Sequence, residues 1–203
     1  MNEAITRRER ADLMAPLIAA VALAVVVVVT TVIRWLETFT PAGLVAGVPF
    51  PGVPVDFSPA EGEQVTSVHV TAGDIVARGV NSVSTVSLGL SIVVGALAWL
   101  AVIAVFATLT VRFLHGRFFD RGNPRLLDAA AWTMLGGALA VYMLETFGRN
   151  GVLAAAGLSG YVPPSWAVAA PFIPIWIAAM ALGLISLAFR RGIRMQRDSE
   201  GLV

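Results

Sequence analysis

Few residues in this chain could do chemistry. Its 203 residues include two histidines, His69 and His115, and no cysteine. Disulfides, thiolate nucleophiles and cysteine-ligated zinc are therefore excluded. Asp56, Glu61, Glu63 and Asp74 surround His69 in sequence and are residue types that could complete a zinc site. The same composition describes a solvated acidic loop, which is the reading adopted, so no metal is expected. His115 lies in a different setting, the stretch Arg112–Asp128, RFLHGRFFDRGNPRLLD, which holds four Arg and two Asp between long uncharged runs. The topology derived below puts the two histidines on opposite faces of a membrane, so no Ser/His/Asp arrangement can be drawn. No GxGxxG stands between a strand and a helix, and no phosphate loop occurs. The chain is read as a non-enzyme with no cofactor.

The elements that must hold these residues follow from composition. Hydrophobic residues make up 57% of the chain and charged residues 13%, about half the charge of a soluble domain. The net charge of +1 offers no basic face for direct nucleic-acid binding. All 14 basic residues are arginine, and with the heavy use of Ala, Val and Gly this points to a GC-rich bacterial genome.

The apolar residues fall into four blocks, each long enough for the roughly 20 helical residues that cross a bilayer. The expected class is an all-α membrane protein with four transmembrane helices. Residues 1–12 form a polar N-terminus and 13–36 the first span, containing the uncharged run Leu13–Ile33. A signal peptide is the rival reading of that run, but its apolar core is too long and no small-x-small cleavage site follows. Residues 37–87 form an extracytoplasmic loop dense in Pro and Gly, where VTSVHV (65–70) and IVARGV (75–80) suggest a small β-hairpin turning at Thr71–Asp74. The second span is 88–111, the connector 112–125, the third span 126–145, a second outer loop 146–165, the fourth span 166–189 and the tail 190–203. Gly136-Gly137 offers a close-packing point in the third span. Pro171 and Pro174 predict a kink in the fourth.

Arginine placement sets orientation, because cytoplasmic segments are enriched in basic residues. The N-terminus, connector and tail carry eleven arginines, whereas the other side holds only Arg34, Arg78 and Arg149. Both termini are expected in the cytoplasm of a bacterium, with the protein in its inner membrane. The inner arginines Arg112, Arg117, Arg121, Arg190 and Arg191 are candidates for anionic lipid head groups. No ionisable residue lies at mid-depth of a span, which argues against an ion pathway within one chain.

Two segments, LHGRFFDRGNPRL (114–126) and AFRRGIRMQRDSEGLV (188–203), resemble the DUF2975 family of bacterial four-span membrane proteins. The first is similar to that family's G-x-x-F…N-x-x-L turn and the second to its F-x-x-G…E-x-x-V ending. The resemblance implies the four-span architecture with a larger first outer loop. It also implies pairing with a small cytoplasmic helix-turn-helix regulator. It carries no catalytic residue. The matched positions Gly116, Phe119, Asn123, Gly192 and Glu200 become candidate partner-binding residues. Physically, Gly116 suits a turn past a helix end, and Asn123 suits a cap on the third helix with Pro124 at its first position.

The expected function is a non-enzymatic regulatory or scaffold protein whose cytoplasmic face binds such a regulator. The alternative is a small oligomeric permease or lipid-handling subunit. The expected partners are membrane lipid and the DNA-binding regulator, and self-association into a homo-oligomer is compatible with the sequence.

Overall fold

A computed structural model describes residues 7–57, 66–117, 120 and 122–200. Four of its helices contain stretches long and apolar enough to cross a membrane: Met14–Thr38, Ser82–Leu114, Gly122–Ala155 and Ser165–Met195. In lipid a lone segment must satisfy its own backbone, and the helix is the form that does so. The chain runs α1 (Arg7–Thr38), β1 (Phe39–Thr40), β2 (Gly43–Phe57), β3 (Thr66–Ala77), α2 (Ser82–Leu114), α3 (Gly122–Ala155), α4 (Ser165–Ala169), a 3-10 turn (Ala170–Phe172) and α5 (Ile173–Glu200). The turn contains Pro171, and Pro174 is the second residue of α5; the helix breaks there because a proline ring blocks the regular helical bond.

Two compact units divide the chain. The helical unit comprises residues 1–32, 93–139 and 174–203. Its core joins Val102 and Leu109 of α2, Leu127, Ala130 and Met134 of α3, and Ala179 and Leu182 of α5. Over residues 14–32, where side-chain burial is described, α1 is half-buried at Leu17, Ala20, Ala24, Val27 and Thr31 and exposed elsewhere. The alternating spacing of three and four makes this a single narrow stripe. Ile18, Val21, Leu23 and Val25 are among the residues left exposed around it.

The sheet-bearing unit comprises residues 33–92 and 140–173. Its three strands are antiparallel in the order β1-β2-β3. Here the structure corrects the expected hairpin. Residues 66–70 and 75–77 of those two segments lie on one strand, β3, and the partner is the Pro-rich β2; Val65 lies outside the described residues. Prolines are tolerated in β2 because one of its edges is nearly free: β1 pairs with it only at Gly43 and Leu44. The register shifts by two between Pro49 and Val53, where Gly52 adopts φ +87° and lets the strand bulge. Leu44, Ala46, Ile75 and Ala77 face inward against Leu88 of α2 and Val152 of α3.

Helices α2 and α3 begin or end outside their expected limits of 88–111 and 126–145. Asn81 caps α2 by accepting the Ser84 N–H at 2.9 Å, which starts the helix six residues early. Helix α3 runs ten residues past Glu145, so Arg149 is helical rather than in a loop. Gly157 ends it in a left-handed conformation, with the Leu158 N–H bonded to the Leu153 carbonyl.

Close approach explains two glycines of α3. A side chain at Gly151 would overlap Ser84, and one at Gly148 would overlap Leu88. In the helical unit a Cβ at Gly137 would lie 2.7 Å from that of Ala98, while Gly136 faces open space. Of the paired glycines, Gly137 is therefore the one at a packing contact.

Candidate functional site

The connector between α2 and α3 is built by its backbone. Gly116 takes φ +72°, its N–H bonds the Phe113 carbonyl, and the Arg117 N–H bonds the Arg112 carbonyl. This pair of bonds satisfies the last carbonyls of α2, and the left-handed position suits glycine. Asp120, rather than Asn123, serves the start of α3: its carboxylate accepts the Gly122 N–H at 2.9 Å. Asn123 lies inside the first turn, is 0% exposed, donates to the Arg117 carbonyl at 2.8 Å and accepts from Arg112 at 3.3 Å. The expected cap is corrected for that reason. Helix α3 begins at Gly122, so Asn123 is already helical and its side chain braces the connector from inside.

The other sequence-chosen residues are spread over the helical unit. Gly192 is half-buried within α5, Arg117 and Arg191 are exposed, and Arg112 is half-buried against Asn123. Arg190 is paired with Asp128 across α5 and α3, so its charge is already met. Phe119, Arg121 and the side chain of Glu200 lie outside the described residues. Connector residues Arg112, Arg117 and Asn123 come together; Gly192 and Arg191 stay on α5.

Neither histidine heads a site. A carbonyl can only accept, so His115 donates from Nδ1 to the Val111 carbonyl at 2.7 Å, and His69 faces the Gly52 carbonyl at 3.4 Å. His69 and Asp74 are five residues apart on β3 and point to opposite faces. Glu61 and Glu63 lie outside the described residues. Among the described residues no three His, Asp or Glu side chains form a metal-holding group.

The chemically richest place is one that sequence reasoning passed over. A cavity of about 630 Å³ in the sheet-bearing unit is lined by Arg34, Glu37, Asp74, Glu145 and Arg149, together with Val45, Gly47, Leu88, Ser91 and Ile92. Arg34, near the end of α1, pairs with Glu145 of α3. Arg149, one helical turn beyond Glu145, donates from Nε to the Gly47 carbonyl at 3.0 Å. Two residues along, the Pro49 carbonyl accepts from the Tyr161 hydroxyl at 2.7 Å. Carbonyls two apart on a strand point the same way, so both donors sit on the free edge of β2 and replace a missing neighbour strand. Pro49 has no N–H to lose there.

The chain matches no protein-family model, no curated protein and no solved structure.

The signal for this cavity was present in the sequence. Arg34 and Glu145 are opposite charges at the ends of two apolar runs. Arg149 was hidden because α3 extends further than its apolar run. Ser91, buried in the cavity wall, donates its hydroxyl proton to the Leu88 carbonyl of its own helix at 2.7 Å. The arrangement can hold charged groups.

Proposed function

We propose that the protein is a multi-pass, non-enzymatic regulatory or scaffold protein of a bacterial cytoplasmic membrane, with both termini inside. Its sheet-bearing unit faces outward and binds a small charged molecule. The connector and tail, on the cytoplasmic side, hold a small helix-turn-helix regulator, as the resemblance to the DUF2975 family implies. The observation that carries this reading is the cavity: two arginines and three acidic residues line it, a set suited to binding a charged molecule. The exposed Arg117 and Arg191 supply contacts for an acidic partner surface. The test is co-purification of the full-length protein with the regulator in mild detergent. Arg117→Glu with Arg191→Glu is expected to weaken capture at least tenfold. An unchanged complex, or no complex at all, defeats the reading.

A small oligomeric permease or lipid-handling subunit is the second reading. It is favoured by α1, which touches its unit along one stripe and leaves its remaining apolar surface for lipid or for another copy. Lipid flux in liposomes would support it, and a monomer without flux would count against it.

A further inference from the structure

We propose that the cavity of the sheet-bearing unit binds a zwitterion, a molecule carrying an ammonium and an oxyanion a few bonds apart. This names the ligand class for the outer unit and rests on the reading above for its regulatory meaning. The binding itself is argued from the cavity alone.

Five charged side chains line the cavity, and their commitments differ. Arg34 and Glu145 satisfy each other. Arg149 uses its Nε on the Gly47 carbonyl and lies within the field of the Glu145 carboxylate one helical turn back, while its Nη atoms make no hydrogen bond among the described residues. Glu37 and Asp74 are exposed and hold no hydrogen bond or ion pair among those residues. One guanidinium fork and two carboxylates are therefore open to a visitor.

Each half of that set selects a chemistry. The fork of a guanidinium matches the paired oxygens of a carboxylate or phosphate. An ammonium has three donors and no acceptor, and carboxylates are its natural partners. A simple anion would approach three acids against two arginines. A simple cation would meet the open end of Arg149. A divalent metal is disfavoured because the carboxylates do not converge as a ligand group. Only a molecule bearing both charges satisfies both halves. The cavity volume of about 630 Å³ exceeds what a bare ion needs and falls among sites for small organic ligands, roughly 300–1,000 Å³.

Two sources supply this chemistry. Leu88 and Ile92 form part of the wall, and Trp35 stacks on Phe39 with ring centroids 4.5 Å apart beside it. Charged groups and Trp at one end of apolar helices mark the headgroup layer. A phosphatidylethanolamine headgroup is one source, and a free α-amino acid is the other.

The experiment uses the full chain in mild detergent, stripped of lipid. Melting is followed with phosphoethanolamine, glycine, ethanolamine and inorganic phosphate, and native mass spectrometry is run after exposure to phosphatidylethanolamine or phosphatidylglycerol. A saturable rise in melting temperature is expected with phosphoethanolamine or glycine, but not with ethanolamine or phosphate alone. Glu37→Gln with Asp74→Asn is nearly isosteric and removes no hydrogen bond or ion pair among the described residues. It should melt like the parent without probe and bind at least tenfold more weakly. If the double variant melts low, Asp74→Asn alone is read by Trp fluorescence, with the same weakening expected. A phosphatidylethanolamine adduct lost in the variant identifies the lipid source. Binding of the soluble probes without that adduct identifies the free one. The proposal is overturned if no zwitterion binds, if ethanolamine or phosphate binds equally well, or if the variant binds like the parent. No cytoplasmic partner is present, so failure here is distinct from failure of regulator capture.

Discussion

The helical unit packs Val102, Leu109, Leu127 and Met134 into an apolar core, whereas the sheet-bearing unit buries Ser84, Ser87 and Ser91 along one face of α2 and sets glycines of α3 against that helix. The first design relies on side-chain volume. The second seats the side chains of Ser84 and Leu88 of α2 directly on Gly151 and Gly148 of α3. Large side chains can shift to absorb a small change, but a helix resting on glycine has no give. The sheet-bearing unit should therefore be the less tolerant of added atoms.

The largest expected effect follows from this. Gly151→Val places methyl groups where Ser84 already stands, and overpacking of this kind costs about 1–3 kcal/mol or more. Gly136→Ala in the helical unit meets nothing within 4 Å and should gain up to about 1 kcal/mol from helix propensity. Denaturation midpoints in detergent, read by circular dichroism, check both. If Gly151→Val unfolds no more easily than Gly136→Ala, the contrast between the units is wrong.

A middle-sized effect compares how each unit treats a hydrogen bond. Asn123 is enclosed and serves two partners in the connector. Asn123→Ala leaves those partners short in a dry place and should cost about 1–3 kcal/mol. Tyr161→Phe removes one bond to the Pro49 carbonyl on the edge of β2, where water can substitute, and should cost about 1 kcal/mol or less. Hydrogen exchange should show faster opening at the start of α3 in the first variant and along β2 in the second. Reversed magnitudes would mean that the strand edge, rather than the connector, is the dry one.

Much of the architecture was legible because lipid imposes one rule. Uncharged runs long enough to span must be helical, and the runs at Leu13–Ile33, 88–111 and 166–189 announced themselves. The lower limit of α2 was obscured by Ser82–Ser87, whose serines read as loop until the cap at Asn81 is seen. Strand β2 was illegible for a sharper reason. Pro49, Pro51 and Pro54 would break a fully paired central strand, and β2 accepts them because β1 covers only its first two residues, while Arg149 and Tyr161 supply donors further along. Those donors lie 102 and 112 residues away in sequence, beyond any local pattern. The cavity shared this difficulty: Glu37, Asp74 and Arg149 meet only because the strands fold back.

The smallest effect concerns the one feature the units share, an ion pair between helices. Arg34 and Arg190 are equally exposed at 52%, but Glu145 is 17% exposed and Asp128 is 30% exposed. Screening by water and salt acts more strongly on the exposed pair. Asp128→Asn should therefore cost about 0.2–1 kcal/mol at low salt and almost nothing at high salt. Glu145→Gln should cost somewhat more and keep part of its effect in salt, because the carboxylate it replaces is better shielded. Double-mutant cycles with Arg190→Gln and Arg34→Gln, run at two salt concentrations, isolate each pair from the rest of its helix. Equal coupling energies with equal salt dependence would show that both pairs sit in the same wet environment, and the sheet-bearing unit would lose its claim to a partly enclosed charged site.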